Sequence, residues 1–207
     1  MTDYLFLLPL TLAFVLGVMS PGPSFLVVVQ TSVSKSRTDG IACSIGLAVG
    51  VAVFAIIASL GLFVVLESVP TLFIVFKLIG GGYLCFLAYK IWNNGNQTEL
   101  AETQLERQPS NITRSFFTGL ATQLSNPKTA LALVAIFASL LPEQVPEFSY
   151  LVIAMLAFTI DAIWYSIISI LLSTRKAQNS YLKYKKAISR TSASFLAILG
   201  IKLATDL

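Results

Sequence analysis

The chain has 207 residues, of which 56% are hydrophobic and only 12% charged, with a formal net charge of +4. Its mean hydropathy of +0.79 is more than a water-soluble core absorbs, which excludes an ordinary soluble domain. With no histidine and two isolated cysteines, Cys43 and Cys85, neither a zinc site nor a disulfide framework is expected, and no cofactor.

A bilayer crossing takes roughly 20 helical residues, and apolar stretches of that order run at about 4–30, 41–66, 71–92, 115–141, 148–173 and 187–206. The expectation is an all-α integral membrane protein with six transmembrane helices. The first stretch does not read as a secretory signal, because it lacks a basic leader and exceeds an h-region in length. It is interrupted by Ser20, Pro21, Gly22 and Pro23. Each proline removes a backbone donor and the glycine adds freedom, so the helix is expected to break near residue 20. Freed carbonyls in hydrocarbon cost several kcal/mol each unless satisfied. The break therefore belongs inside protein or beside water, either as a packing kink or as part of a binding site.

In the second stretch Gly46 and Gly50 form a small-xxx-small pair, and in the third Gly80, Gly81 and Gly82 make another close-approach surface; both suit tight helix packing. Lys77 lies near the outer end of its helix and reads as a snorkelling anchor. Residues 93–114 are polar and mixed in charge, a linker in which a short amphipathic helix around 98–107 is weakly signalled.

The fourth stretch carries a second break, Asn126, Pro127 and Lys128 in "LSNPKTAL". At about 1.5 Å per residue these lie roughly 15–20 Å into a helix that starts near Ser115. An ammonium at that depth costs on the order of 3 kcal/mol, so Lys128 should face the bundle interior or a wet cavity. The fifth stretch contains Asp161, the only carboxylate well inside any of the six. Lys128 is its expected partner, either as a structural pair or as one that exchanges with a substrate or proton.

Basic residues fall in alternate connections: Lys35 and Arg37; Lys90, Arg107 and Arg114; and Arg175, Lys176, Lys183, Lys185, Lys186 and Arg190. The intervening connections, near Glu67 to Pro70 and Pro142 to Glu147, contain only acids. By the positive-inside rule the basic loops are cytoplasmic and both termini lie outside, with Lys202 running against the pattern. The pI of about 9.1 reflects this asymmetry and suits an anionic leaflet rather than nucleic acid.

The halves resemble each other. At an offset of 112, Tyr83, Leu84, Leu87 and Lys90 lie over Phe195, Leu196, Leu199 and Lys202; at an offset of 105, Ser20 and Leu26 lie over Ser125 and Leu131. Chance agreement between apolar strings is the competing reading, but a helix-breaking element recurs in the first helix of both halves. Three crossings per half would make the repeats inverted, as in many secondary transporters. The chain then reads as one transmembrane domain, with repeat one at about 4–92, a cytoplasmic linker at 93–114 and repeat two at 115–206.

"SPGP", "GLAVG", "KLIGGGYLCFLAYKIW", "NPK" and the fifth-helix aspartate, in that order, resemble the lysine/homoserine exporter superfamily, the LysE/RhtB type of amino-acid efflux proteins. Ala88 departs from the pattern, since many relatives have glycine there. The resemblance implies no enzyme but an exporter of amino acids or close derivatives in a bacterial inner membrane, driven by protons. A homo-oligomer is left open.

An amino acid needs positive potential for its carboxylate and an acceptor for its ammonium. Helix N-termini restarting after Pro23 and Pro127 would offer the first. Ser20, Pro21, Gly22, Pro23, Asn126, Pro127 and Lys128 are thus the expected substrate-binding elements, with Asp161 taking the ammonium or the coupling proton. Rival readings are efflux of another small solute or cation, a membrane thiol oxidoreductase using Cys43 and Cys85, and a scaffold subunit.

Overall fold

The computed structural model describes residues 4–20, 22–68, 70–94, 109–142, 146, 148–172 and 175–205. Pro21 and the weakly signalled helix around 98–107 lie outside the described residues, as does the Lys77 side chain. Among the described residues eight helices follow one another: α1 (Leu7–Met19), α2 (Pro23–Ser34), α3 (Arg37–Ser68), α4 (Pro70–Asn94), α5 (Ile112–Leu124), α6 (Pro127–Leu140), α7 (Ser149–Leu171) and α8 (Arg175–Thr205). Among the described residues there is no strand.

The helix boundaries follow from local chemistry. Pro23 and Pro127 occupy the first turns of α2 and α6, where a missing N–H is harmless, whereas a continuous helix would have needed those donors. Asn111 caps α5 by accepting the Arg114 N–H at 2.9 Å, and Ser36 Oγ accepts the Asp39 N–H at 3.1 Å at the start of α3. Each leaves fewer orphan donors in the first turn.

By length and composition Arg37–Gly61 and Ser149–Leu171 can each cross a membrane, and α1 with α2, bent by 56° at the break, makes a third span if the pair counts as one. Large apolar side chains such as Leu8, Ile57, Ile79, Met155 and Ile198 point outward and are more than half exposed, the perimeter expected of a protein solvated by lipid.

One expected boundary is corrected. The basic segment 175–190 is not a loop before a helix at 187–206 but the opening part of α8, which runs unbroken for 31 residues. Residues 175–190 contain neither glycine nor proline, and their Lys, Arg, Gln, Ala and Leu are good helix formers. At about 1.5 Å per residue the helix is roughly 46 Å long, well beyond a hydrocarbon core of about 30 Å.

Packing joins the halves. α3 lies against α5 and α7, α4 against α8, and α1 and α2 against α6 and α5. The matched leucines Leu84, Leu87, Leu196 and Leu199 all enter one apolar cluster. Phe14 on α1 meets Phe137 on α6 with ring centroids 6.0 Å apart. A second cluster, containing Phe25, Val28, Leu47, Tyr165 and Ile168, lies on the other side of the breaks.

The α3–α5 contact depends on absent side chains. A Cβ at Gly46 would sit 2.0 Å from the Phe116 carbonyl oxygen, and one at Gly119 would sit 2.0 Å from that of Cys43. Both obstacles are backbone, so the helices would have to separate. Gly119→Ala is expected to lower the unfolding temperature of the detergent-purified protein, with overpacking costing about 1–3 kcal/mol. Gly82→Ala, whose Cβ meets nothing within 4 Å, should leave it unchanged. Equal unfolding temperatures for the two variants would remove this account of the interface.

The same junction is tied by a buried carboxylate at the end carrying Lys35 and Arg37. Asp39, fully buried, accepts from Ser36 Oγ and Ser110 Oγ at 2.5 Å, and from Asn111 N and Ser115 Oγ at 2.9 Å. Lys35 Nζ donates to the same Ser115 hydroxyl at 3.2 Å. Nearby, Ser32 Oγ donates to Ser169 Oγ at 2.9 Å, against Gly40, where a Cβ would overlap both hydroxyls.

Candidate functional site

The two helix breaks meet inside the bundle. Ser20 ends α1 with its N–H on the Gly17 carbonyl at 3.3 Å, and Gly22 opens α2 in extended backbone with no side-chain cap. Any residue adopts that backbone, so what glycine provides here is a close approach of Lys128. A Cβ at Gly22 would lie 3.3 Å from Lys128 Nζ.

On the other side Asn126 Oδ1 accepts the Lys128 N–H at 3.1 Å and caps α6. The N-terminus of α6 is therefore already served by its own cap, and that of α2 is the one without a side-chain partner. The Lys128 side chain crosses to the first break, where Nζ donates to the Ser20 carbonyl at 3.2 Å and to Ser20 Oγ at 3.1 Å. The negative end of the α1 dipole favours a cation there. An ammonium has three donors, and among the described residues Ser20 takes two.

The expected Lys128–Asp161 ion pair does not form. Asp161, buried on α7, is met instead by Gln123, whose Nε2 lies 3.4 Å from Oδ2. Gln123 Oε1 accepts from Ser24 Oγ at 2.7 Å, and Asn126 Nδ2 donates to the same Ser24 oxygen at 3.2 Å. Lys128 is drawn to the carbonyl end of α1, and this polar cluster holds the two charges apart.

Both charges line one cavity of about 80 Å³, enough for several waters where one needs roughly 10–15 Å³. Ser20, Gly22, Ser24, Gln123 and Asn126 make its polar end, and Phe14, Val18, Val51, Leu133, Ile136 and Leu196 make much of the rest. Lys128 and Asp161 are the only charged residues among its described lining. Such a mixture, apolar walls with a few placed polar groups, suits a small amphipathic ligand.

Of the residues expected from sequence, Ser20, Gly22, Asn126, Lys128 and Asp161 come together here. Pro23 and Pro127 act by starting α2 and α6 and are exposed rather than lining the cavity. Ser24 and Gln123 were missed, although a buried amide three residues before a proline break and a hydroxyl just after one were visible signals. Asp39 was missed because it lies among loop-like polar residues.

Cys43 is buried where α3 meets α5, and Cys85 Sγ lies against Gly200 on α8; the fold does not bring these free thiols together. No group of three or more metal-ligating residues occurs among the described residues.

Comparison with known proteins gives the same direction. The LysE type translocator family matches residues 15–207. The threonine efflux protein of Escherichia coli (strain K12) is 30% identical over 199 residues, 95% of this chain and 96% of that protein. The threonine efflux protein of Salmonella typhi is 30% identical over 190 residues, 91% and 92% of the two chains. An uncharacterized membrane protein of Haemophilus influenzae is 25% identical over 201 residues, 95% of each. No solved structure matches.

Proposed function

This chain belongs to the LysE type translocator family, and from that premise we propose that it exports a small amino acid or close derivative across the bacterial cytoplasmic membrane. It is a transporter and not an enzyme. The observation that carries the substrate reading is the cavity at the junction of the two breaks, with one ammonium and one carboxylate held apart in it.

In this reading the substrate carboxylate takes the third donor of Lys128 at the start of α2, which has no side-chain cap, while Asp161 receives the substrate ammonium. Part of the cavity stays apolar for a side chain. The eight helices correspond to six crossings, α1 with α2 and α5 with α6 each forming one, arranged as two inverted three-helix repeats. The basic connections face the cytoplasm and both termini lie outside.

The cavity lining lies largely on the α1 and α6 C-terminal side of the breaks, at Ala13, Phe14, Leu133 and Ile136. The opposite side is filled by the Phe25, Leu47 and Tyr165 cluster and tied by Asp39. This arrangement supports a state closed to the cytoplasm, from which rocking of one repeat against the other opens the loading side. Asp161, vacated by substrate, takes the coupling proton.

The test is a panel of labelled amino acids, threonine included, loaded into cells with and without the protein. Faster release of at least one of them, abolished by a protonophore, is the expected result. Equal release of all of them at verified protein abundance sinks the reading, and protonophore-resistant export sinks the coupling.

A further inference from the structure

Resting on the substrate reading above, we propose that Gln123 is a positioning residue that fixes the orientation of the Asp161 carboxylate and ties it to both helix breaks. Gln123 is 2% exposed and its amide spans two other helices, Ser24 of α2 at one end and Asp161 of α7 at the other. An ionised carboxylate only accepts, so the amide must present its NH₂ to Asp161 and its oxygen to Ser24. The hydrogen bonds then run in one direction, from Asn126 Nδ2 to Ser24, from Ser24 to Gln123, and from Gln123 to Asp161.

The surface opposite is hollowed for this side chain. A Cβ at Gly50 on α3 would lie 2.7 Å from Gln123 Cβ and 2.9 Å from its Cγ, so Gly50 leaves room for the stem that carries the amide. The residue type is equally constrained. Leucine fills the space without donating, glutamate turns the donor facing Asp161 into an acceptor, and asparagine is one methylene short. Among the described residues Gln123 engages Oδ2, and Oδ1 is the atom assigned to the substrate ammonium.

The chain has four aspartates, Asp3, Asp39, Asp161 and Asp206, so protein labelled with ¹³C at the aspartate side-chain carboxyl gives four resonances, and the one lost in Asp161→Asn is assigned to Asp161. Without any ligand, Gln123→Leu is expected to move that resonance and leave the other three in place. Gln123→Glu, which keeps size and the acceptor for Ser24, is expected to move it as well and serves where the leucine variant does not accumulate. An Asp161 resonance unchanged in both its position and its pH response overturns the proposal.

Export of labelled threonine gives a second readout. Gln123→Leu is expected to raise KM by on the order of tenfold and to add nothing in an Asp161→Asn background, whereas additive losses overturn a role exerted through Asp161. Wild-type export by Asp161→Asn would remove Asp161 from the substrate path and leave the resonance result standing, so failure of the substrate reading and failure of the positioning role are distinguishable.

Discussion

Lys128→Ala is expected to reduce export by roughly ten- to a hundredfold at wild-type abundance, and Asp161→Asn to do the same. Lys128 is the only cation among the described lining of the cavity, and its ammonium satisfies the last carbonyl of α1 as well as the Ser20 hydroxyl. A hydrogen bond to a charged group contributes about 1.5–3 kcal/mol, which corresponds to that range at about 1.4 kcal/mol per tenfold. Lys128→Arg should not rescue. Ser20 takes the compact ammonium through its carbonyl at 3.2 Å and its hydroxyl at 3.1 Å, and the guanidinium is wider and planar, so it does not reproduce that pair of contacts. Initial export rates from loaded cells, normalised to membrane abundance, measure both effects. Wild-type rates for Lys128→Ala and Asp161→Asn would mean that neither charge touches the substrate path.

Asp39→Asn is expected to expose Cys43 to a thiol reagent at least tenfold faster than in the parent protein, in a Cys85→Ser background, with the reagent reaching it from the side that the proposed orientation makes cytoplasmic. Cys43 stands one helical turn from Asp39 on α3 and is fully buried, which makes it a native reporter for opening of that end. Asp39 accepts four hydrogen bonds, and three of them come from across the junction, from Ser110 and Asn111 leading into α5 and from Ser115 on α5. The amide of asparagine would turn one acceptor into a donor facing other donors. Losing even one charge-assisted bond, about 1.5–3 kcal/mol, raises the open population by an order of magnitude or more if labelling proceeds through local opening. Maleimide labelling of inside-out vesicles reads the rate. Equal rates in Asp39→Asn and parent would show that this carboxylate does not hold the end closed.

The breaks were legible because proline chemistry is local. Pro23 and Pro127 lack the N–H that an interior helical residue must supply, whatever surrounds them, and helices do end and restart there. The glycine surfaces were legible in part, since Gly46 and Gly81 lie at close contacts of α3 with α5 and of α4 with α8, whereas a Cβ at Gly82 would meet nothing within 4 Å. The extent of α8 was not, because a polar run is compatible with both a loop and a helix end until its continuation into an apolar helix holds it in register.

Among the site residues, sequence alone determined which ones were costly to bury: Lys128 and Asp161 stand out because charges inside apolar segments demand compensation. It did not determine how each is compensated. Lys128 and Asp161 invited pairing with each other, yet the fold gives Lys128 to Ser20 and Asp161 to Gln123. That choice depends on where the carbonyl end of α1 lies relative to α6, and on Gly50 making room for the stem of Gln123, whose amide reaches Ser24 on α2 and Asp161 on α7. Such distances are set by helix packing between residues about a hundred positions apart, and no local pattern encodes them.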